Sequence, residues 1–201
     1  MKLINKDILA VAKIASKDRR RYMLNNILLD HEKMVATDGY KLLEVKHSSE
    51  YTHKEFPTIT NSKPVASLKS PLLLDAGAIL KSLKFPKPQR LPILNEAVIV
   101  NENDTSIGLA VTDLVNPQVV KLGKVEGDYP QYENLFPTAK PQAKVRIDSH
   151  LLAQLLAAFK GGLTNSIILE FHENGSALVI KGDDEGNSHK RGLIMPLIDR
   201  Q

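Results

Sequence analysis

The sequence contains neither cysteine nor tryptophan, and aromatic residues make up only 5% of its 201 residues. Without cysteine the chain can form no disulfide bond and no thiolate metal site, so redox chemistry does not indicate its compartment. The chain also lacks an N-terminal apolar run and any long apolar segment. We therefore expect a cytoplasmic protein that does not enter a membrane.

Signatures of catalysis are equally scarce. The six histidines show no HExxH or HxH spacing, and no Gly-rich phosphate loop or GxSxG turn is present. The acidic turn Asp183–Asn187 lacks the spacing of a calcium loop, so we expect it to be a solvated hairpin tip. These absences favour a protein that is not an enzyme and has no metal or cofactor, with a nuclease or hydrolase as the alternative.

The remaining composition is that of an ordinary globular protein with a mild basic excess. Hydrophobic residues make up 42%, enough for one large or two small cores. Lysine and arginine total 27 against 23 acidic residues, which gives a net charge of +4 and a pI near 9.1. This balance suits binding to a polyanion without proving it, so the distribution of the charge must decide.

A short pattern occurs three times: an apolar strand, an Asn or Asp cap, and then an amphipathic helix. The caps Asn5, Asp75 and Asp148 recur about every 70 residues. The helices are predicted at 6–17, 76–84 and 149–160, and each is followed by short β-branched or alternating runs that predict strands. The expected fold class is therefore α+β, built from three half-modules of one helix and four antiparallel strands.

Three further segments are distinctive in combination: Val35–Leu42 (VATDGYKL), Gly127–Pro137 (GDYPQYENLFP) and Gly192–Leu197 (GLIMPL). In this order they resemble segments of the bacterial DNA sliding clamp, the β subunit of DNA polymerase III. Each alone is commonplace, since Asp-Gly is a frequent hairpin turn and Met-Pro usually packs. The resemblance extends over nearly the whole chain and implies the DNA-clamp fold.

The resemblance also implies a domain organisation. Residues 1–138 resemble the complete middle domain of a clamp, and residues 139–201 resemble the second half of its last domain. Segments 47–63 and 84–90 are expected to be loops in the first domain, and 136–141 the connector. A clamp ring of this family contains twelve half-modules, so four copies of this chain would close a comparable ring and hide its strand edges.

In the family these segments form a cleft that binds short peptides with hydrophobic anchors. Tyr40 and Lys41 replace the usual histidine and arginine, which keeps shape and charge. The resemblance carries the peptide-binding role to Leu24, Thr37, Gly39, Tyr40, Lys41, Leu42, Pro130, Leu135, Leu193, Met195, Pro196 and Leu197.

Clamp helices line the central hole and meet phosphates without reading sequence. In the first predicted helix Lys6, Ala10, Lys13, Lys17 and Arg20 share one stripe, opposite an apolar one, and the second helix repeats this with lysines. Charge on a helix face is often merely solvated, but the resemblance favours DNA contact. The expected DNA-binding residues are Lys13, Lys17, Arg20, Arg21, Lys81 and Lys84.

Together these observations predict a non-enzymatic processivity factor that encircles double-stranded DNA and tethers DNA polymerase and repair proteins. A clamp loader is a further possible partner, and a homo-oligomeric ring is expected. The alternative is an interaction module or decoy that binds clamp-dependent replication proteins without encircling DNA.

Overall fold

The computed structural model describes residues 3–49, 51–87, 91–173 and 176–197. The chain divides into two compact units, Met1–Glu133 (unit 1) and Asn134–Gln201 (unit 2). An Asn-Gly pair at 174–175 predicts a hairpin turn between two strands. This turn and the end of the loop expected at 84–90 lie outside the described residues. The domain boundary expected after residue 138 stays a prediction.

Unit 1 contains the order strand, helix and three strands twice. The first half consists of β1 (Ile4–Asn5), α1 (Ile8–Ile14), a 3-10 helix (Arg19–Asn25), β2 (Asn26–Leu29), β3 (Lys33–Thr37) and β4 (Leu42–Lys46). The second half consists of β5 (Leu72–Asp75), α2 (Ala76–Ser82), a 3-10 helix (Pro92–Asn95), β6 (Glu96–Val100), β7 (Ser106–Val111) and β8 (Gln118–Val125). The α+β class with an antiparallel sheet is confirmed.

The eight strands form one antiparallel sheet in the order β1-β6-β7-β8-β5-β2-β3-β4. The two halves exchange their first strands. β1 of the first half pairs with β6 of the second, with Asn5 opposite Glu96, and β5 of the second half pairs with β2 of the first, with Asp75 opposite Asn26. Each half therefore depends on the other to complete its hydrogen bonding.

Both helices pack against each other and on the same face of this sheet, where Ile8 and Ile79 are fully buried in the main core. The alternation of side chains turns Val98 and Val100 to the opposite face. There the segment expected to be a polar loop buries Phe56 and Ile59 against them. The loop is thus irregular, as expected, but it also covers one face of the sheet.

The helices are shorter than the periodicity predicts. α1 ends at Ile14 rather than at Lys17, and Arg20 lies in the following 3-10 helix, so the basic stripe is not the face of one continuous helix. Asp75 caps α2 through the amide of Ala78, as expected. Asn5 instead accepts a hydrogen bond from the amide of Asp7, the residue just before the first residue of α1.

Unit 2 contains α3 (Ser149–Ala157) and a three-stranded antiparallel sheet in the order β11 (Arg191–Ile194), β10 (Leu178–Gly182), β9 (Ile167–Glu170). A 3-10 helix at Glu133–Leu135 spans the division between the units. Asp148 caps α3 through the amides of His150 and Leu151. The expectation of four strands in this half is wrong for the described residues, because the segment before α3 forms no strand.

Instead, the carbonyl of Arg146 in that segment accepts a backbone hydrogen bond from the amide of Leu197 at 2.8 Å. The core of unit 2 is small, with Phe159, Leu178, Ile180 and Ile194 buried beneath α3. Within the described ranges, no helix combines the length and apolar character that crossing a membrane requires.

The strand exchange in unit 1 buries one carboxyl group. Glu96, opposite Asn5, is 8% exposed, and this burial raises the pKa of its carboxyl to about 7, with Asp7 adding to the rise and Ser49 opposing it. Because the folded pKa exceeds the reference value of 4.5, the folded state binds the proton more tightly than the unfolded state. The associated stability is present below pH 4.5 and is lost as the pH rises through 7.

We therefore expect Glu96→Gln to flatten the fall in stability between pH 5 and pH 8. At pH 8 the variant should be more stable than the parent by about 1 to 3 kcal/mol, the cost of ionising a buried carboxyl. Urea unfolding at both pH values measures this effect. The exposed Glu126→Gln serves as the matched control, and parallel pH profiles for parent and Glu96→Gln would contradict the assignment.

Candidate functional site

The turn between β3 and β4 carries Thr37, Gly39, Tyr40 and Lys41, four of the expected peptide-binding residues. The buried Thr37 hydroxyl donates to the carbonyl of Lys41 at 2.7 Å and accepts from the amide of Gly39 at 3.0 Å. Asp38 accepts from the amides of Tyr40 and Lys41 and pairs with the Lys41 ammonium. This local network fixes the turn and leaves the Tyr40 side chain 87% exposed.

Arg21 ties this turn to the 3-10 helix after α1. Its Nη1 donates to the carbonyl of Asp38 at 2.9 Å, and its guanidinium lies 5.3 Å from the centre of the Tyr40 ring, in cation-π range. Gly39 has φ +92°, and a Cβ there would lie 2.7 Å from Nη1 of Arg21. Arg21, expected to contact DNA, therefore has a structural contact in the chain itself.

A surface cleft of about 500 Å³ adjoins this turn and is rich in cations. Its charged lining residues are Lys13, Lys17, Asp18, Arg20, Arg21, Asp38 and Lys41. The structure thus brings together four expected DNA-binding residues with Tyr40 and Lys41, which the sequence assigns to peptide binding.

Several of these cations already have partners. Arg20 makes two hydrogen bonds of 3.2 Å to the Asp18 carboxylate and lowers the pKa of that group, while Lys41, with help from the Tyr40 amide, lowers the pKa of Asp38 to about 2. Among the described residues, the side chains of Lys13 and Lys17 form no ion pair or hydrogen bond. These two lysines are therefore the cations most available to an external anion.

The other two expected DNA contacts lie on or just after α2, outside this cleft. Lys81 is exposed on the last turn of α2. Lys84 follows the helix and donates from Nζ to the carbonyl of Leu80 at 3.0 Å, where it satisfies a helix C-terminal carbonyl. α2 packs beside α1, so Lys81 belongs to the same helical layer as Lys13.

The segment that carries Pro130 is anchored to unit 1 by two tyrosines. Tyr132 is buried, meets Tyr129 edge to face with ring centres 6.4 Å apart, and lies under the Lys33 ammonium at 4.9 Å. Lys33 also pairs with Glu44 on β4 at 3.0 Å, and the contacts with Tyr132 and Glu44 raise the pKa of Lys33. Pro130 is exposed between these anchors.

Leu24 and Leu42, the two leucines expected to bind peptide in unit 1, are half-buried. Leu24 lies in the 3-10 helix before β2, and its Cδ1 lies 3.9 Å from the Cβ position of Gly39. Leu42 opens β4 opposite Thr37. Both leucines thus flank the turn at Gly39.

In unit 2 the expected peptide-binding residues are conspicuously apolar and exposed. Ile194, the last residue of β11, is buried in the core, while its two chain neighbours, Leu193 on β11 and Met195 just after the strand, are each 62% exposed. Leu197 and Leu135 are also exposed, and Pro196 is half-buried. Exposed large apolar side chains that follow one another closely in the chain, as Leu193, Met195 and Leu197 do, are typical of interaction surfaces.

One larger cleft is not anticipated by the sequence. It measures about 800 Å³, belongs wholly to unit 2, and is lined mainly by 143–146, 171–173, 176–178 and 196–197. Pro196 and Leu197 are the expected site residues that it includes. Only the pairing of elements distant in sequence creates this cleft, so no local motif signals it.

The acidic turn at 183–187 is not simply solvated, which corrects the sequence expectation. Asn187 is completely buried, and Asp184 accepts hydrogen bonds from the amide and hydroxyl of Thr164, with the amide bond as the main cause of its lowered pKa. The turn therefore closes the loop after α3. Among the residues that the structure describes, no group of three or more His, Asp or Glu could hold a metal ion.

Comparison with solved structures gives the class of this fold. The chain matches the β subunit of DNA polymerase from Streptococcus pyogenes with a TM-score of 0.64 and 16% identity, covering 98% of this chain and 50% of that one. It matches DNA polymerase III subunit β from Borrelia burgdorferi, solved with a natural product, with a TM-score of 0.63 and 15% identity over 94% and 45% of the two chains. A sliding clamp from Bartonella birtlesii bound to griselimycin gives 0.60 and 15% over 99% and 51%.

The chain therefore has the sliding-clamp fold, and the resemblance stated from its sequence is confirmed at the level of fold. It spans about half the length of the solved clamps that it matches. Neither protein-family models nor curated protein sequences give a match.

The contact between Gly39 and Arg21 yields a stability prediction. Gly39→Ala should destabilise the protein by about 1 to 3 kcal/mol, because alanine at φ +92° is strained and its Cβ displaces the Arg21 guanidinium. Urea unfolding measures the change. Gly123→Ala on β8 is the matched control, since nothing lies within 4 Å of its Cβ position, and equal stability of the two variants would contradict the account.

Proposed function

We propose that this chain is a non-enzymatic, cytoplasmic clamp-like processivity protein that encircles duplex DNA and tethers a DNA polymerase and repair proteins. The observation that carries the proposal is the sliding-clamp fold over nearly the whole chain, with TM-scores of 0.60 to 0.64 against three solved clamps. Encirclement fits the two-helix layer of unit 1, which presents cations outward while its other face forms the core.

The DNA-facing residues in this proposal are Lys13, Lys17, Arg20, Arg21, Lys81 and Lys84. Lys13 and Lys17 contribute most, because their ammonium groups have no partner among the described residues. Contacts of this kind neutralise phosphates without reading base edges, as sliding requires. Arg20 and Arg21 add positive potential while they hold Asp18 and the Gly39 turn.

For peptide binding, we propose apolar contacts from Leu24, Leu42 and Pro130 of unit 1 and from Leu135, Leu193, Met195, Pro196 and Leu197 of unit 2. Thr37, Gly39, Tyr40 and Lys41 contribute a shaped turn with an exposed aromatic ring and a cation. The exposed pair Leu193 and Met195 supports this role most directly, because large apolar side chains in contact with water gain free energy when a partner covers them.

The ring in this proposal contains four copies, since three half-modules per chain and twelve per ring require that number. A clamp loader could open it. The second candidate function is a decoy or adaptor that binds clamp-dependent proteins without encircling DNA. The observation that favours it is the exposure of the apolar Leu193 and Met195 in unit 2, which need no DNA to bind a partner.

Retention on circular DNA separates the two candidates. The parent, assembled on a nicked circle from dissociated subunits or with a loader, should stay bound through gel filtration and leave when the circle is cut. Lys13→Glu with Lys17→Glu and Lys81→Glu should lower retention and reduce its salt dependence, because three phosphate contacts become repulsive.

The matched control carries the same charge change on exposed lysines elsewhere in unit 1: Lys54→Glu with Lys63→Glu and Lys121→Glu. This control should keep its retention and oligomeric mass. If the parent shows no dependence on DNA topology by either assembly route, encirclement is wrong and the decoy function takes its place.

Peptide capture tests each unit separately. Met195→Ala and Leu24→Ala should each weaken the binding of a fluorescent peptide that carries a clamp-binding motif of a DNA polymerase. Loss of a central apolar anchor costs on the order of 2 kcal/mol, or about 30-fold in Kd. Fluorescence anisotropy measures the affinity.

Leu163→Ala provides the control, since Leu163 is 81% exposed in unit 2 and is not among the proposed contacts. Its affinity should equal that of the parent. Parental affinity in the combined Met195→Ala and Leu24→Ala variant would remove these residues from the peptide site.

A further inference from the structure

The strand exchange in unit 1 shows what a half-module of this protein needs. In each half, the strand before the helix pairs with the first strand after the helix of the other half. The paired residues also share a face: Ile4 lies opposite Ala97 and Leu74 opposite Ile27, and all four are in the core beneath the helices. The exchange therefore satisfies backbone groups and closes the core together.

Unit 2 repeats the order of one such half, and its two corresponding edges lack this exchange. The carbonyl of Arg146, in the segment before α3, accepts a backbone hydrogen bond from Leu197, on the side that corresponds to the pairing of β5 with β8. On its other side this segment pairs with no strand among the described residues. On the opposite side of the sheet, β9 pairs with β10 and with no other strand among the described residues. A half-module with these two open edges presents the surface that unit 1 closes internally.

Exposure of the apolar side chains near these edges agrees with a core that is not closed in unit 2. The three half-modules can be aligned on an asparagine that comes just before the first strand after the helix: Asn25, Asn95 and Asn165. In this alignment Leu169 corresponds to Leu29 and Ile99. Leu29 and Ile99 are 0% and 2% exposed, whereas Leu169 is 44% exposed. Neighbouring apolar side chains of unit 2 share this exposure: Val145 (39%), Leu151 (52%) and Ile168 (44%).

We propose that unit 2 of a second copy of this chain covers these edges. In the resulting two-fold pair, the segment 144–148 of each copy lies antiparallel to β9 of the other, and the two half-modules together form one complete clamp-like domain. A second copy fits both edges. A two-fold axis that brings the segment 144–148 of one copy against β9 of the other also brings the reciprocal pair together, so both edges of both copies are closed. In unit 1, too, the corresponding edges of each half-module are paired by another half-module.

The register of unit 1 carries over to this pair. Because Asp75 lies opposite Asn26, and Ser166 corresponds to Asn26, Asp148 falls opposite Ser166 of the partner subunit. Ile147 then meets Ile167 of the partner subunit, and both residues already pack on the core beneath α3.

The same register brings Val145 opposite Leu169 of the partner subunit and covers two exposed apolar side chains. It also sets the exposed Lys144 opposite Glu170 of the partner subunit, an opposite-charge pair across neighbouring strands. Within its own chain Glu170 already pairs with Lys181 at 2.6 Å, so Lys144 would be a second cation at this carboxylate. Apolar burial and charge complementarity therefore agree on one alignment.

This pairing adds a specific contact between chains to the proposed ring. It rests on the proposed function only for the total number of chains in that ring. A pair of chains holds six half-modules, so two pairs supply the twelve that the ring requires. The pair itself stands whether or not the protein encircles DNA or binds peptide.

Engineered cysteines test the register cleanly, because the chain has no cysteine of its own. A Val145→Cys chain and a differently tagged Leu169→Cys chain are mixed in urea, refolded together and mildly oxidised. Directly opposed residues in paired strands lie within disulfide range, so we expect a disulfide that joins one chain of each kind. Each variant refolded alone should give no such product, since like positions are not opposed.

Val145→Cys mixed with Ile168→Cys is the shifted-register control, in which the side chains point to opposite faces. It should give only background cross-linking. Absence of the Val145–Leu169 product, or an equal yield from the shifted pair, overturns the proposal.

A second measurement needs no covalent chemistry. Leu169→Lys should reduce the native mass of the oligomer, because it places a charge against Val145 of the partner subunit, while the equally drastic Leu163→Lys on a nearby loop should not. A parent that runs at the 22.3 kDa of one chain, or a Leu169→Lys variant with unchanged mass, contradicts the pairing. Failure of DNA retention or peptide capture with the cross-link intact rejects the proposed function alone.

Discussion

The constraint on which the whole structure depends is that a strand edge must be paired. Backbone amides and carbonyls that lose water without gaining a partner cost more than most side-chain contacts return. Unit 1 meets this constraint by exchange: the two-residue β1 is too short to form a hairpin of its own, yet it completes the edge of β6, and β5 joins the two halves through β2 and β8. The helices then need only cover one face, which explains why seven residues suffice for each.

The strands that were predictable are those whose apolar runs are buried, such as β6 and β7, where every residue is buried and β-branched residues are frequent. No buried apolar run of this kind marks β4 or β8. In β8 exposed and half-buried residues predominate, and Gly123 interrupts its pattern, so its extended form comes from pairing with β7 rather than from local preference. The helix ends were overestimated for a related reason. The run from Lys6 to Arg20 keeps a helical period, but the chain turns after Ile14 so that Asn26 can enter the sheet opposite Asp75.

Some features of the candidate site also follow from local sequence, while others depend on contacts between distant segments. The Gly39 turn is predictable from local sequence, because the Asp38 carboxylate accepts hydrogen bonds from the amides of Tyr40 and Lys41 within the same turn. The use of Arg21 is not, because its partner carbonyl is 17 residues away and a triplet of arginines offers no sign of which one turns inward. The burial of Asn187 and the large cleft of unit 2 likewise arise from segments far apart in the chain. Sequence patterns identify residue types suited to a role, and packing then decides which of them remain free to perform it.

Unit 2 exposes two apolar surfaces that make different demands on a partner. At β9 the exposed side chains accompany an open backbone edge, so only an extended strand in a fixed register can satisfy amides, carbonyls and side chains together. The backbone of β11 is paired with β10, and Leu193 on this strand and Met195 just after it expose their side chains. Recognition there therefore depends on side-chain shape and tolerates a variety of sequences. The edge of β9 therefore suits one partner of fixed structure, and the exposed side chains at β11 suit several different partners. Self-association at β9 would therefore leave the apolar side chains of β11 available, because the two surfaces lie on different strands and do not compete for the same backbone.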